Sequence, residues 1–217
     1  MLRLELPARV AGRPLQILCV GAHSDDIEIG CGGTILRLLE ERRCRVDWVV
    51  FSADGVRSRE ARAAAKLFLR DAAGSKVTLR RYRDGFFPAQ FAAIKTDFEK
   101  LKRRPSPDVV FCPARHDAHQ DHRTVAELVW NTFRDHMVLE YEIPKYDGDL
   151  GSPSLFVPLS EDVCRRKIRN LERAFRSQAG RQWFREDTFR ALLRLRGIEA
   201  NSPTSFAEAF YCRKAVL

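Results

Sequence analysis

The stretch Leu15-Gln16-Ile17-Leu18-Cys19-Val20-Gly21-Ala22-His23-Ser24-Asp25-Asp26 decides the fold. Its first half is a mostly apolar run, which reads as a buried strand over Gln16–Val20. Gly21 opens a turn, and one imidazole and two adjacent carboxylates follow at once. A glycine cluster (Gly30, Gly32, Gly33) then leads into a helical pattern over Gly33–Arg42. The polar cluster therefore sits at the C-terminal end of a strand, which is where open α/β sheets bind ligands. Imidazole plus carboxylate is a partial ligand set for a catalytic zinc, which keeps three protein ligands and one open position. A third donor is available much later, at His122.

Working outward, strand and helix patterns alternate. A strand is expected at Val46–Phe51, an alanine- and arginine-rich helix at Ser58–Ala72, and a short strand at Val77–Leu79. A helix at Pro88–Arg103 carries Phe91, Ile94, Phe98 and Leu101 on one face. Pro105 and Pro107 stop it. A strand at Asp108–Cys112 and a helix at Thr124–Phe133 follow. This alternation predicts an α/β fold, a Rossmann-like, mostly parallel sheet with helices on both faces. Beyond Met137 the pattern changes. Short strands at Val138–Ile143 and Ser154–Pro158 flank a Gly/Pro/Asp loop, an amphipathic helix covers Glu161–Phe175, and Phe206–Val216 reads as a last strand. The C-terminal third is expected to complete the same domain, so residues 1–217 are read as one unit.

Composition excludes several classes. No apolar run reaches the roughly 18 residues that span a bilayer. Met1–Leu6 carries an acid and lacks the apolar core of a signal peptide, so a cytoplasmic location is expected. The six cysteines (Cys19, Cys31, Cys44, Cys112, Cys164, Cys212) form no C-x-x-C pair and read as reduced packing residues. The net charge is +9, with much of the excess between Arg165 and Arg196. Such a surface attracts anionic substrates, binds nucleic acid or is simply solvated. No nucleic-acid-binding motif supports the second option.

The strand ending at Cys112 is followed by Pro113-Ala114-Arg115-His116-Asp117-Ala118-His119-Gln120-Asp121-His122. Three of the five histidines fall in this segment, again directly after a buried strand. Both clusters can meet at one sheet edge. The pair of segments, Ala22-His23-Ser24-Asp25-Asp26-Ile27-Glu28-Ile29-Gly30-Cys31-Gly32-Gly33-Thr34 and His119-Gln120-Asp121-His122, resembles the PIG-L/LmbE-like family of zinc-dependent N-deacetylases. Ser24 stands where that family usually has proline.

The resemblance implies His23, Asp26 and His122 as ligands of Zn2+, or of another divalent ion such as ferrous iron, cobalt or manganese. It implies Asp25 as general base, and His119 as the group that stabilises an oxyanion, in protonated form. Asp121 would orient His119 and tune it. It implies an arginine that bonds sugar hydroxyls where the helix after the second strand begins, Arg57 here, the alternative being a surface arginine; Asp84, in the loop after the third strand, is placed to accept from a hydroxyl. The implied activity is hydrolysis of an N-acyl, chiefly N-acetyl, group on an amino sugar. The substrate would be a small molecule, anionic sugar conjugates included, and no nucleic acid is expected. Related proteins often assemble, so a homo-oligomer is compatible. Two rivals stand beside this reading: an amidase acting on a thiol conjugate or other non-sugar substrate, and a non-catalytic binding module with a basic face. Outside the matched positions, His116 reads as structural, His136 as a helix C-cap, and Glu28 as a carboxylate bonding nearby backbone. Tyr82, Phe86 and Phe87 read as core in the first place, with packing against a sugar face as the alternative. Gly30-Cys31-Gly32-Gly33 is not G-x-G-x-x-G and reads as close packing, not a phosphate cradle.

Overall fold

The computed structural model describes Leu6 and residues 12–216. Of the Met1–Leu6 stretch only Leu6 is among them. The strands are β1 (Leu15–Gly21), β2 (Cys44–Val50), β3 (Gly74–Leu79), β4 (Val109–Pro113), β5 (Met137–Tyr141), β6 (Leu155–Leu159) and β7 (Phe206–Cys212). The α-helices are α1 (Asp26–Glu41), α2 (Gly55–Phe68), α3 (Phe91–Lys102), α4 (Gln120–Thr132), α5 (Glu161–Ala174) and α6 (Glu186–Glu199). The strands make a single sheet in the order β3-β2-β1-β4-β5-β7-β6. β1 to β5 pair in parallel, and β7 runs antiparallel to both β5 and β6. The last third thus extends the sheet. Pro158 is tolerated because β6 is the edge strand.

Alternation along β1 explains the layers. Leu15, Ile17 and Cys19 face α1, α2, α5 and α6, while Leu18 and Val20 face α3 and α4. Chain order reverses between β1 and β4: α1 and α2 cover one face, α3 and α4 the other. Such a reversal opens a crevice at the C-terminal strand ends.

Two expectations need correction here. Helix α1 starts at Asp26, not Gly33, so the three glycines lie inside it. Close packing overrides their poor helix propensity of about 1 kcal/mol each. A Cβ at Gly30 would overlap the Tyr141 ring, one at Gly32 would crowd Phe68, and one at Gly33 would crowd Leu159 and Glu208. Secondly, α6 has no counterpart in the sequence reading. Its arginines at 190, 194 and 196 interrupt the apolar stripe, yet Phe189 and Leu193 reach the core.

Buried charge also shapes α1. Glu208 of β7 accepts from the backbone N–H groups of Gly33 (2.8 Å) and Thr34 (2.6 Å) and from Lys167 Nζ (2.6 Å). Lys167 donates in turn to the Ile29 carbonyl. Gly30 tests the tightness of this packing. Tyr141 is fully buried and its hydroxyl donates to the Val20 carbonyl at 2.7 Å, so the ring has little freedom to yield. Gly30→Ala is expected to destabilise the fold by about 1–3 kcal/mol, the usual cost of overpacking. Urea unfolding measures this, and a loss within about 0.5 kcal/mol would show that the ring moves aside.

Candidate metal and catalytic site

The two clusters meet at the C-terminal ends of β1 and β4. His23 follows β1, Asp25 precedes the first residue of α1, and Asp26 opens that helix. On the other side α4 begins inside the second motif. His119 is its N-cap, and its Nδ1 accepts from the Asp121 N–H at 3.2 Å. Asp121 and His122 fall in the first turn, where the helix dipole favours the carboxylate.

Three side-chain atoms converge. His23 Nδ1 lies 3.1 Å from His122 Nε2, His122 Nε2 lies 3.4 Å from Asp26 Oδ2, and His23 Nδ1 lies 3.7 Å from Asp26 Oδ2. Ligands about 2.0–2.1 Å from a tetrahedral zinc stand about 3.3 Å apart, so this spacing fits such an ion. Each imidazole has a carboxylate on its far nitrogen. His23 Nε2 contacts Asp84 Oδ1 (2.9 Å) and Asp121 Oδ2 (3.2 Å), and His122 Nδ1 contacts Asp117 Oδ2 (2.8 Å). Carboxylates there put the protons on the far nitrogens and aim lone pairs at each other, an arrangement that a cation between them relieves. The donor atoms of His23, His119 and His122 also lie within 4.8 Å of one another, as do those of His23, Asp84, His119 and Asp121. His119 and Asp26 are thus rivals for the third ligand position.

Electrostatics agree with a cation site. Burial would lower the pKa of His122, but Asp26 and Asp117 outweigh it and raise it to about 9. For His23 burial is likewise overcome, by Asp26, Asp121 and Asp84, and its pKa is raised. Asp26 is held well below the usual carboxylate range because His122 and His23 outweigh its burial. The pocket therefore holds positive charge between these groups, as protons or as a metal ion.

Asp25 is 5% exposed and its Oδ1 pairs with Arg57 Nη2 at 2.8 Å. Burial pushes its carboxyl up, and Arg57 offsets part of that rise. Arg57 also donates to Glu60 Oε2 at 3.1 Å and lies over the Phe175 ring.

Several expectations change. Asp121 does not orient His119 through its carboxylate. That carboxylate accepts from the Gly85 N–H (2.7 Å) and the Phe87 N–H (3.0 Å) and faces His23. Burial, and then His122 and His23, lower the pKa of His119, which works against the protonated form expected for it. Asp84 has a side chain that is 73% exposed, and one of its oxygens, Oδ1, also contacts His23 Nε2. Glu28 is fully buried, and neither carboxylate oxygen has a partner beyond the residue's own backbone, so it does not bond the neighbouring turn. His136 stands beyond the end of α4 at Thr132, and its Nε2 bonds Ser106 Oγ at 2.8 Å. Phe87 is core and Tyr82 is half-buried against it, but Phe86 is exposed beneath Arg83. Ser24 keeps the turn, its hydroxyl donating to the Ser52 carbonyl.

The sequence reading assigns no role to Asp117, Lys145 or Asp149, and the structure does. Asp117 holds His122, and Lys145 Nζ bridges Asp117 (3.0 Å) and Asp149 (2.5 Å). Asp149 also accepts from the Ala118 N–H at 2.6 Å. The loop after β5 thereby clamps the loop after β4. Asp117 carries one signal, an acid five residues before a ligand; Lys145 and Asp149 have no local signal.

With this geometry in hand, comparison with known proteins is decisive. The GlcNAc-PI de-N-acetylase (PIG-L) family matches residues 18–133, more than half of the chain. The chain belongs to that family. Among solved structures it resembles the conserved protein TT1542 of Thermus thermophilus, with 22% identity over 94% of this chain and 96% of that one, at a TM-score of 0.71. It also resembles the N,N'-diacetylchitobiose deacetylase of Pyrococcus horikoshii, with 22% identity, 91% and 83% coverage and a TM-score of 0.69. A third is the 4-carboxy-2-hydroxymuconate hydratase of Pseudomonas putida, with 16% identity, 94% and 98% coverage and a TM-score of 0.68. These likenesses show the fold, and the third shows that the fold also carries chemistry other than deacetylation. Among the described residues no helix is long and apolar enough to cross a membrane.

Proposed function

We propose that this chain is a metal-dependent hydrolase that removes an N-acetyl group from an amino sugar or a sugar conjugate. The observation that carries the reading is the convergence of His23 Nδ1, His122 Nε2 and Asp26 Oδ2 within 3.7 Å, with a carboxylate behind each imidazole. These three residues would hold a divalent ion, zinc by preference for two nitrogens and one oxygen. When bound, such an ion polarises a carbonyl and acidifies water.

The remaining steps belong to the protein's own groups. Asp25 takes a proton from the attacking water, since it adjoins the ligand Asp26 and is not itself one of the three. The Nδ1 of His119 accepts from the Asp121 N–H, so its ring proton sits on Nε2 and can be donated to the oxyanion that develops on the amide oxygen. The protonated Asp25 then hands its proton to the departing amine. Asp121, Asp84 and Asp117 act behind this set by fixing the tautomers of His23 and His122.

The test is a panel of N-acetyl amino sugars (free, nucleotide-linked and lipid-linked) with N-acyl thiol conjugates that lack a sugar beside them. The full chain loaded with zinc is expected to release free amine and acetate in equal amounts from at least one class. A chelator should remove that activity and added divalent metal should restore it. No amine release from any class by the metal-loaded protein would overturn the reading. Release from thiol conjugates alone would move it to the amidase alternative.

A further inference from the structure

Arg57 is held from two directions. Its Nη2 meets Asp25 Oδ1 at 2.8 Å and its Nη1 meets Glu60 Oε2 at 3.1 Å. Glu60 is buried and is itself fixed by Ser177, whose N–H donates to Oε1 at 2.8 Å and whose hydroxyl donates to Oε2 at 2.6 Å. The guanidinium lies 5.3 Å from the centre of the fully buried Phe175 ring. Phe175 and Ser177 belong to the turn that leaves α5, which packs against α2, the helix carrying Arg57 and Glu60. Neither Phe175 nor Ser177 lies within the residues that match the family.

We propose that Ser177 and Glu60 are positioning residues: they lock Arg57 so that Asp25 is presented in one orientation for proton transfer. The inference rests on the deacetylase reading above. An arginine loses much rotamer freedom when fixed, and an unbraced one samples several orientations. Here Glu60 occupies one arm of the guanidinium fork and Phe175 flanks it, leaving the other arm on Asp25. Because Arg57 is the cation paired with Asp25, freedom in Arg57 becomes freedom in the base. A misplaced base lowers the fraction of bound substrate in a reactive geometry, and a shift of 1 Å can cost about 10²-fold. It does not remove a binding contact. The expected signature is therefore loss of kcat with KM retained.

The experiment compares kcat, KM, zinc content and Tm for the full chain and for Ser177→Ala, Ser177→Thr and Glu60→Gln. The substrate is whichever N-acetyl amino sugar the wild type turns over best. Ser177→Ala is expected to lower kcat on the order of tenfold, within the bound set by misplacement. KM should stay within about twofold and zinc content should match the wild type. Ser177→Thr restores the hydroxyl and should recover most of kcat. Glu60→Gln should fall further than Ser177→Ala, because it also weakens the pull on Arg57. Unchanged kcat in both Ser177→Ala and Glu60→Gln overturns the positioning role. So does a lower Tm with normal kcat per folded molecule, or a raised KM with normal kcat. An inactive wild type sinks the deacetylase reading itself, whereas an active wild type with unaffected variants sinks the positioning role alone.

Discussion

Asp25→Asn is expected to keep its metal and lose about 10²–10⁴-fold in kcat, the usual contribution of a positioned general base. The substitution is nearly isosteric, and the amide oxygen can still accept from Arg57 Nη2. The converging atoms of His23, Asp26 and His122 are untouched, so metal content should stay at the wild-type level. What disappears is the capacity to accept a proton. Stability separates this loss from misfolding. Burial raises the folded pKa of Asp25 above its ordinary value. A carboxyl raised in this way destabilises the fold once pH exceeds its unfolded pKa, because the folded state must bury the charge. Asparagine removes that burden, so Tm at neutral pH should be no lower than in the wild type. Stopped-flow or steady-state turnover with metal analysis decides the matter. Turnover within tenfold of the wild type would assign the base to another group.

The fold is legible because its signals are local. Apolar runs at 16–20, 46–51 and 108–112 alternate with amphipathic helices, and each reappears within a few residues of the expected place. The start of helix α1 is misread because glycine argues for a turn in isolation. The residues that press on it from elsewhere in the chain, Tyr141, Phe68, Leu159 and Glu208, explain why glycine is needed inside the helix. Helix α6 escapes for the opposite reason. Its buried Arg196 satisfies its charge on Glu199, one turn on, and on Glu142, a partner far back in the chain that no local pattern reveals. Part of the arginine-rich character from 165 to 196 is similarly explained by ion pairs, such as Arg190 with Glu161 and Arg166 with Glu40.

The candidate site divides in the same way. Residues immediately after a strand, His23, Asp25, Asp26, His119 and His122, can be found by type and spacing. Their orientation cannot. Asp121 invites pairing with His119 because the two are neighbours in a motif. At the start of a helix, however, Asp121 points away from the residue two before it, toward Gly85, Phe87 and His23. The parts that tune the site come from far along the chain: Lys145 behind Asp117, and Ser177 behind Glu60. Long-range pairing of this kind leaves no periodic trace in a single sequence.

His122→Ala is expected to abolish metal binding, and its comparison with two further variants identifies the ligand set. His122 supplies the atom nearest to both other candidates, 3.1 Å from His23 Nδ1 and 3.4 Å from Asp26 Oδ2. Its removal leaves one imidazole and one carboxylate, too few for a three-ligand zinc site. It also takes one partner each from Asp117 and Asp26, two buried carboxylates that keep Lys145 and His23, so some loss of stability accompanies the loss of metal. Asp117→Asn removes only the outer partner of His122 and should weaken metal affinity about 10–100-fold. His119→Ala is the discriminating variant. If Asp26 is the third ligand, His119→Ala keeps metal near the wild-type affinity while kcat falls, because His119 serves the oxyanion alone. If the three histidines are the ligands, His119→Ala loses metal as fully as His122→Ala. Competition with a chromophoric chelator gives the affinity of each variant, and circular dichroism on the same samples shows whether the protein is folded. The expected order of affinity is wild type and His119→Ala together, then Asp117→Asn, then His122→Ala. Any order that places His119→Ala beside His122→Ala replaces Asp26 as a ligand.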